Sequence, residues 1–334
     1  MSRFAFRPLA FVDAASNEYP GYANFSAYNL DVVSAELPCG TSWFASTLLE
    51  CDFPVWNPWN VDMSLEWKHH GGTAYEYFYP GDPWSRVLPS LVSGRHFDFR
   101  TDLVPRFSHA TPGQWSIGPR LILFVRDPRD ALFSAWRRAH KSQVDVPPFV
   151  DWVLQIDPTW QVPRCAAYLL HLAAWKRYAE LHNTPYRVVR FEDVKANARA
   201  EFRRLQYFLP GSLDLIASDR IERALERSTF DAVRSVEDQM LANSTFAQRI
   251  NNAGVPYEYR SHFDASMHEA IGGGGAAIYR WLRYDAPVAT KGIATVSPRP
   301  DWVDRLSPTR GRLAMQALSA AIELYACELA NGQR

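Results

Sequence analysis

The sequence predicts an α/β fold, a three-layer sandwich with a central parallel sheet, on three observations. Leu121-Ile122-Leu123-Phe124-Val125 is a continuous apolar run of the kind found in a strand buried on both faces. Two strand–loop–helix units, over 28–50 and 119–141, each put polar loop residues between a strand and a helix. Further along the chain, strand patterns alternate with helical ones, which is the signature of parallel strands joined by helical crossovers.

The elements follow in order. Leu30 to Ala35 reads as a strand, Pro38-Cys39-Gly40 as a turn, and Thr41 to Glu50 as a helix with Phe44, Leu48 and Leu49 on one face. After the 121–125 strand, Asp127 as N-cap, Pro128 at the first helical position and Asp130 in the first turn start a second helix. Residues 163–182 form another helix, Tyr186 to Phe191 another strand, and Ser307-Pro308 opens a last helix running to about Ala330. The whole chain, 1–334, is expected to be one domain, with loop-rich insertions at about 51–115 and 240–290.

Composition narrows the function. The chain is 47% hydrophobic, 14% aromatic and 22% charged, an ordinary globular balance. Lys+Arg and Asp+Glu are both 36, so there is none of the basic excess a nucleic-acid partner demands. Cys39, Cys51, Cys165 and Cys327 have no metal-ligand spacing and read as reduced thiols. His69-His70 lacks companion ligands, so no metal is expected. No apolar stretch approaches the roughly 20 residues of a membrane span, and no signal peptide is visible at the N-terminus. The expected location is the cytoplasm, with no membrane partner.

Two segments carry the chemistry. In Leu37-Pro38-Cys39-Gly40-Thr41-Ser42-Trp43, a glycine turn leads into a helix, whose first amides and dipole favour an anion. The glycine spacing and the Gly-Lys-Ser/Thr ending of a Walker loop are missing, which disfavours a kinase. In the second segment Arg126 stands at the carboxyl end of a buried strand, and Ser134 lies about two helical turns further on. A guanidinium and a hydroxyl in one crevice suit a phosphate monoester.

Together these residues resemble the sulfotransferase family, which moves a sulfuryl group from 3′-phosphoadenosine 5′-phosphosulfate (PAPS). The family's Arg-x-Pro-x-Asp-x-x-x-Ser segment is met by Arg126, Pro128, Asp130 and Ser134. Its Pro-Lys-Ser-Gly-Thr-Thr-Trp loop is met at Gly40, Thr41 and Trp43, with Ser42 for a threonine. Phe191-Glu192-Asp193-Val194 is similar to its Tyr-Glu-Asp-Leu stretch, and Ser228-Thr229-Phe230 to its Thr-Ser-Phe segment. Thr290-Lys291-Gly292, then Trp302 and Leu306-Ser307-Pro308, resemble its Arg-Lys-Gly loop and the start of its last helix.

The resemblance implies a P-loop-like phosphosulfate-binding loop and a nucleotide site made by Cys39, Gly40, Thr41, Ser42, Trp43, Arg126, Ser134, Phe191, Ser228, Phe230, Lys291 and Gly292. In that arrangement Trp43 and Phe230 sandwich the adenine, and Arg126, Ser134 and Lys291 hold the 3′-phosphate. PAPS is then the co-substrate, adenosine 3′,5′-bisphosphate (PAP) the product, and a small molecule with a hydroxyl or amine the acceptor. The Trp, Tyr and Phe content of 51–115 suggests an acceptor with aromatic or apolar surface.

Three departures stand out. The family's loop lysine is Pro38, which brings neither charge nor N–H; Lys68, Arg100 and Arg137 are candidate substitutes. The family's Lys-Thr-His, whose histidine is the general base, is matched to Arg100-Thr101-Asp102. That makes Asp102 the first candidate for the base, followed by His109 and His96. Thr290 replaces an arginine at the 3′-phosphate. The alternative function is a nucleotide-binding protein of the same fold with weak or altered transfer.

Overall fold

The computed structural model describes residues 29–35, 38–51, 103, 105–114, 117–142, 145–205, 208–209, 219–227, 229, 231, 254–272, 274–287 and 300–326. In chain order these form strand β1 (Leu30–Val33), helix α1 (Thr41–Glu50), β2 (Pro105–Ser108), β3 (Leu121–Val125), α2 (Pro128–Ser142) and α3 (Phe149–Leu154). A small hairpin of β4 (Ile156–Asp157) and β5 (Val162–Pro163) precedes α4 (Arg164–Leu181), β6 (Tyr186–Arg190), α5 (Phe191–Leu205) and α6 (Arg220–Arg227). The remaining helices are α7 (Ala265–Ile271), α8 (Ala276–Trp281) and α9 (Pro308–Ala326).

The main sheet has four parallel strands in the order β2-β1-β3-β6. From β1 the chain moves through α1 to β2 on one side. From β3 it moves through α2, α3 and α4 to β6 on the other. Right-handed crossovers running in opposite directions put their helices on opposite faces of the sheet, which gives three layers. On one face Phe44 of α1 packs against Phe107, Phe124 and Phe202, with ring centroids 6.0, 5.1 and 5.5 Å away. On the other, α4 packs along α9 and buries thirteen of its residues. A helix apolar almost all round is expected between a sheet and a second helix.

The sequence pattern marked no strand at β2, which lies near the end of the loop-rich 51–115 stretch and pairs with β1. Pro105-Arg106-Phe107-Ser108 has no apolar run because Arg106 is neutralised within the core. Its Nε donates to Asp31 Oδ1 at 2.6 Å, while Gly118 N–H donates to Asp31 Oδ2 at 2.5 Å. Both side chains are almost wholly buried. Pro105 stands at the first strand position, where its missing N–H costs no ladder bond. In the region near 240–290, the described part from Gly254 on holds a 3-10 turn at Glu258–Ser261 and the short helices α7 and α8. Two strands end earlier than their apolar pattern, β1 at Val33 and β6 at Arg190, where Phe191 already begins a helix.

Removing one member of a buried ion pair leaves the other charge unpaired, at a cost of about 3–5 kcal/mol. Asp31→Ala is therefore expected to lose about that much in urea unfolding, whereas an exposed change such as Glu323→Ala stays within about 0.5 kcal/mol. Equal losses for the two variants would contradict the assigned role of the pair.

Candidate functional site

In a sheet of this order the crevice lies outside the carboxyl ends of β1 and β3, where the chain leaves in opposite directions. The loop after β1 reaches Pro38, Cys39 and Gly40. Gly40 has φ +86°, and its carbonyl accepts from Phe44 N at 3.2 Å, so it caps α1. First-turn amides of a helix have no intrahelical acceptor, so those after Gly40 are suited to an anion. A Cβ at Gly40 would lie 2.5 Å from Phe191 Cδ2, so both the backbone angle and the space require glycine.

The loop after β3 begins with Arg126, whose side chain is buried. Nη1 donates to the Pro38 carbonyl at 3.3 Å and Nη2 to the Val255 carbonyl at 3.1 Å. The guanidinium carbon stands 5.0 Å from the centre of the Phe191 ring. Asp127 caps α2 as expected, its Oδ1 accepting from Arg129 N at 3.0 Å. It also takes the Arg129 side chain as a fork, with Nε at 2.8 Å and Nη2 at 2.7 Å. Asp130 accepts the N–H groups of Tyr257 and Tyr259 and lies 3.9 Å from Arg126 Nη2. Ser134 is buried one turn further along the same helix face as Asp130.

Glu192 ties β6 to this loop. Oε1 accepts Asp127 N–H at 2.8 Å and Oε2 accepts the Tyr284 hydroxyl at 2.6 Å, and burial raises its pKa. Helix α4 supplies the back wall through residues spaced to share a face. The Tyr168 hydroxyl donates to the Arg126 carbonyl at 2.8 Å, accepts from Arg126 N at 3.2 Å and lies 3.5 Å from Cys39 Sγ. Since its one proton goes to the carbonyl, the thiol is the donor toward it, which agrees with burial holding the Cys39 pKa up at about 11. One helical turn beyond His171, Trp175 Nε1 donates to the Ala110 carbonyl at 2.7 Å.

His109 follows β2 directly. Its Nδ1 lies 3.1 Å from the Ser34 carbonyl and 3.0 Å from Ser34 Oγ. A carbonyl only accepts, so Nδ1 carries the proton and Nε2 is the unprotonated nitrogen of the neutral ring. Burial lowers the pKa of His109, so the neutral form prevails at pH 7. His171, buried behind it on α4, has its pKa lowered to about 3, first by burial and then by His109. Its Nε2 has no hydrogen-bond partner among the described residues.

Of the expected nucleotide residues, Cys39, Gly40, Arg126 and Phe191 come together in one block. Thr41 and Trp43 follow on α1, where Trp43 is partly buried against the core; Ser42 is described in its backbone only. Ser228, Phe230, Lys291 and Gly292 lie outside the described residues, as do Asp102, Arg100, His96 and Lys68. Arg137, a candidate replacement cation, is paired with Glu258 instead. Sequence reasoning missed Tyr168 and Glu192 as organisers of the site, although Tyr168, His171 and Trp175 share a helical spacing. Among the described residues no group of three or more His, Cys, Asp or Glu is placed to hold a metal, and no helix is long and apolar enough to cross a membrane.

A sequence profile of the sulfotransferase domain matches residues 105–272, half of the chain. The chain belongs to the sulfotransferase family, a class of group-transfer enzymes. The matched stretch holds β2, His109 and the Arg126–Ser134 segment; the Leu37–Trp43 loop lies before it. Among solved structures, the mouse sulfotransferase SULT7A1 complexed with PAP is similar over 76% of this chain and 84% of its own, at 12% identity and a TM-score of 0.47. No curated protein sequence matches the chain.

Alanine at Gly40 would meet the Phe191 ring in a backbone region that costs non-glycine residues about 1–3 kcal/mol. Gly40→Ala is expected to lower the urea midpoint accordingly, and an unchanged midpoint would contradict the close approach. The unfolded chain protonates His171 near pH 6.5, whereas the folded state resists until about pH 3. Its contribution to stability is thus complete above pH 6.5 and is lost progressively as pH falls toward 3, by at most about 1.4 kcal/mol per pH unit. Urea titrations at pH 7 and pH 5 should show this loss, and His171→Leu should reduce it; an unchanged dependence would contradict the burial of a neutral ring.

Proposed function

We propose that the protein is a PAPS-dependent sulfotransferase acting on a hydroxyl or amine of a small molecule. The observation that carries the reading is the junction of the two loops at the switch point, where the Arg126 guanidinium reaches Pro38 beside the glycine-capped start of α1. The 5′-phosphosulfate lies against the amides after Gly40, and the 3′-phosphate lies toward Ser134, with Lys291 as a further contact. Trp43 and Phe230 flank the adenine. The sulfotransferase family membership supports this assignment, and so does the order in which the nucleotide segments follow one another.

His109 is the base in this reading. The family's histidine follows a strand, and His109 follows the strand paired with β1. Its Nε2 takes the acceptor proton as the acceptor oxygen attacks sulfur. The new oxygen–sulfur bond forms while the bond from sulfur to the bridging phosphate oxygen breaks, and PAP leaves with that electron pair. Asp102, the first candidate from sequence, lies outside the described residues. Pro38 favours a second reading, a nucleotide-binding member with little turnover, because a lost electrostatic donor costs on the order of 10²–10³ in rate.

Titration calorimetry with PAP and with ATP tests the nucleotide assignment: tight PAP binding and weak ATP binding are expected, and a preference for ATP would overturn it. A mass-spectrometric search for a product heavier by one sulfuryl group, in mixtures of PAPS with phenols, alcohols and amines, separates enzyme from binder. For an acceptor found that way, His109→Gln is expected to lower kcat/KM by about 10²–10⁴-fold. The wild-type acid limb should lie below pH 6.5, because burial depresses the His109 pKa from that value. Full activity in His109→Gln would rule this base out.

A further inference from the structure

We infer that the Arg126 guanidinium supplies the positive charge at the 5′-phosphosulfate end of the nucleotide that the loop itself lacks at Pro38. The inference rests on the nucleotide reading proposed above and adds a second duty to Arg126, which that reading places at the 3′-phosphate.

The loop and the guanidinium are physically joined. Arg126 Nη1 donates to the carbonyl of Pro38, the residue standing where the family has its lysine. The Phe191 ring packs against Gly40 on one side and lies 5.0 Å from the Arg126 guanidinium carbon. Guanidinium, ring and glycine turn therefore form one block at the mouth of α1. Tyr168 fixes the backbone of Arg126 at both N and O while touching Cys39, so the cation and the loop share a single anchor.

The charge at this point is only partly offset. The acceptors of Nη1 and Nη2 are both neutral carbonyls, of Pro38 and Val255. Nε is buried and has no hydrogen-bond partner among the described residues. The nearby carboxylate, Asp130, lies 3.9 Å from Nη2 and already accepts two backbone N–H groups, from Tyr257 and Tyr259. Among the described residues, three neighbouring cations are engaged elsewhere: Arg129 with Asp127, Arg137 with Glu258, and Arg190 with Tyr257 and Tyr284. A guanidinium held beside an anion-binding helix start, with a donor to spare, is suited to two phosphate groups at once.

The test uses two nucleotides that differ only at the 3′ position, adenosine 5′-monophosphate (AMP) and PAP, titrated calorimetrically into the full chain. A charge-assisted contact to the 5′ group predicts that Arg126→Gln weakens AMP binding about tenfold or more, as well as weakening PAP. Arg126→Lys should keep most of the AMP affinity, and Pro38→Lys in the Arg126→Gln background should restore it. If AMP affinity in Arg126→Gln stays within about twofold of wild type while PAP affinity falls, Arg126 serves the 3′-phosphate alone and the inference is overturned.

Should Arg126→Gln fail to fold, Pro38→Lys alone decides. With the charge already in place it changes AMP affinity by less than about threefold, and a gain of about tenfold or more would overturn the inference. A wild-type protein that binds neither nucleotide would overturn the nucleotide reading itself, and the inference with it.

Discussion

One buried hydroxyl joins the two halves of the site. Tyr168 reaches from α4 to the backbone N–H and carbonyl of Arg126, at the end of β3, and to the thiol of Cys39, in the loop after β1. Both loops leave the sheet at its switch point in opposite directions. A polar group buried without partners is costly, so a hydroxyl that satisfies both backbone groups of Arg126 fixes where that residue sits. Everything downstream depends on that placement, including the ring of Phe191, the fork between Asp127 and Arg129, and the amides received by Asp130. Glu192 repeats the device from the first turn of α5, bonding the N–H of Asp127, the next residue of the same loop.

The consequence is a connected frame around the candidate site rather than a set of independent surface contacts. Arg126, Asp127 and Asp130 read in sequence as a short charged run. In the structure their roles diverge. The guanidinium bridges the Pro38 and Val255 carbonyls, the first carboxylate caps a helix and holds Arg129, and the second receives the 257–259 turn. His109 sits in the same frame through Ser34, whose N–H donates to the Ser108 carbonyl at the end of β2. The ends of β1 and β2 are thereby joined by the His109 side chain as well as by the ladder.

Much of this was legible in the sequence, for reasons that are physical. The apolar run 121–125, the cap at Asp127-Pro128 and the glycine turn at Gly40 are local signals, and each element formed where its local chemistry called for it. What stayed hidden depends on distant partners. β2 contains Arg106, which is compatible with a buried strand only because Asp31 lies opposite it. With β2 unseen, the histidine that follows it looked like one loop residue among several. Tyr168 gave no signal, and Glu192 was visible only as part of a motif, because the partners that give them their organising roles lie 42 to 129 residues away in the chain.

In the proposed reading, the two loops form one nucleotide site around Arg126. A crystal structure of the protein soaked with PAP tests it most directly. One phosphate is expected on the amides after Gly40, the other toward Ser134, and the Arg126 guanidinium within hydrogen-bond distance of both. A PAP molecule bound away from the β1–β3 crevice, or one bound there with Arg126 touching neither phosphate, would contradict it.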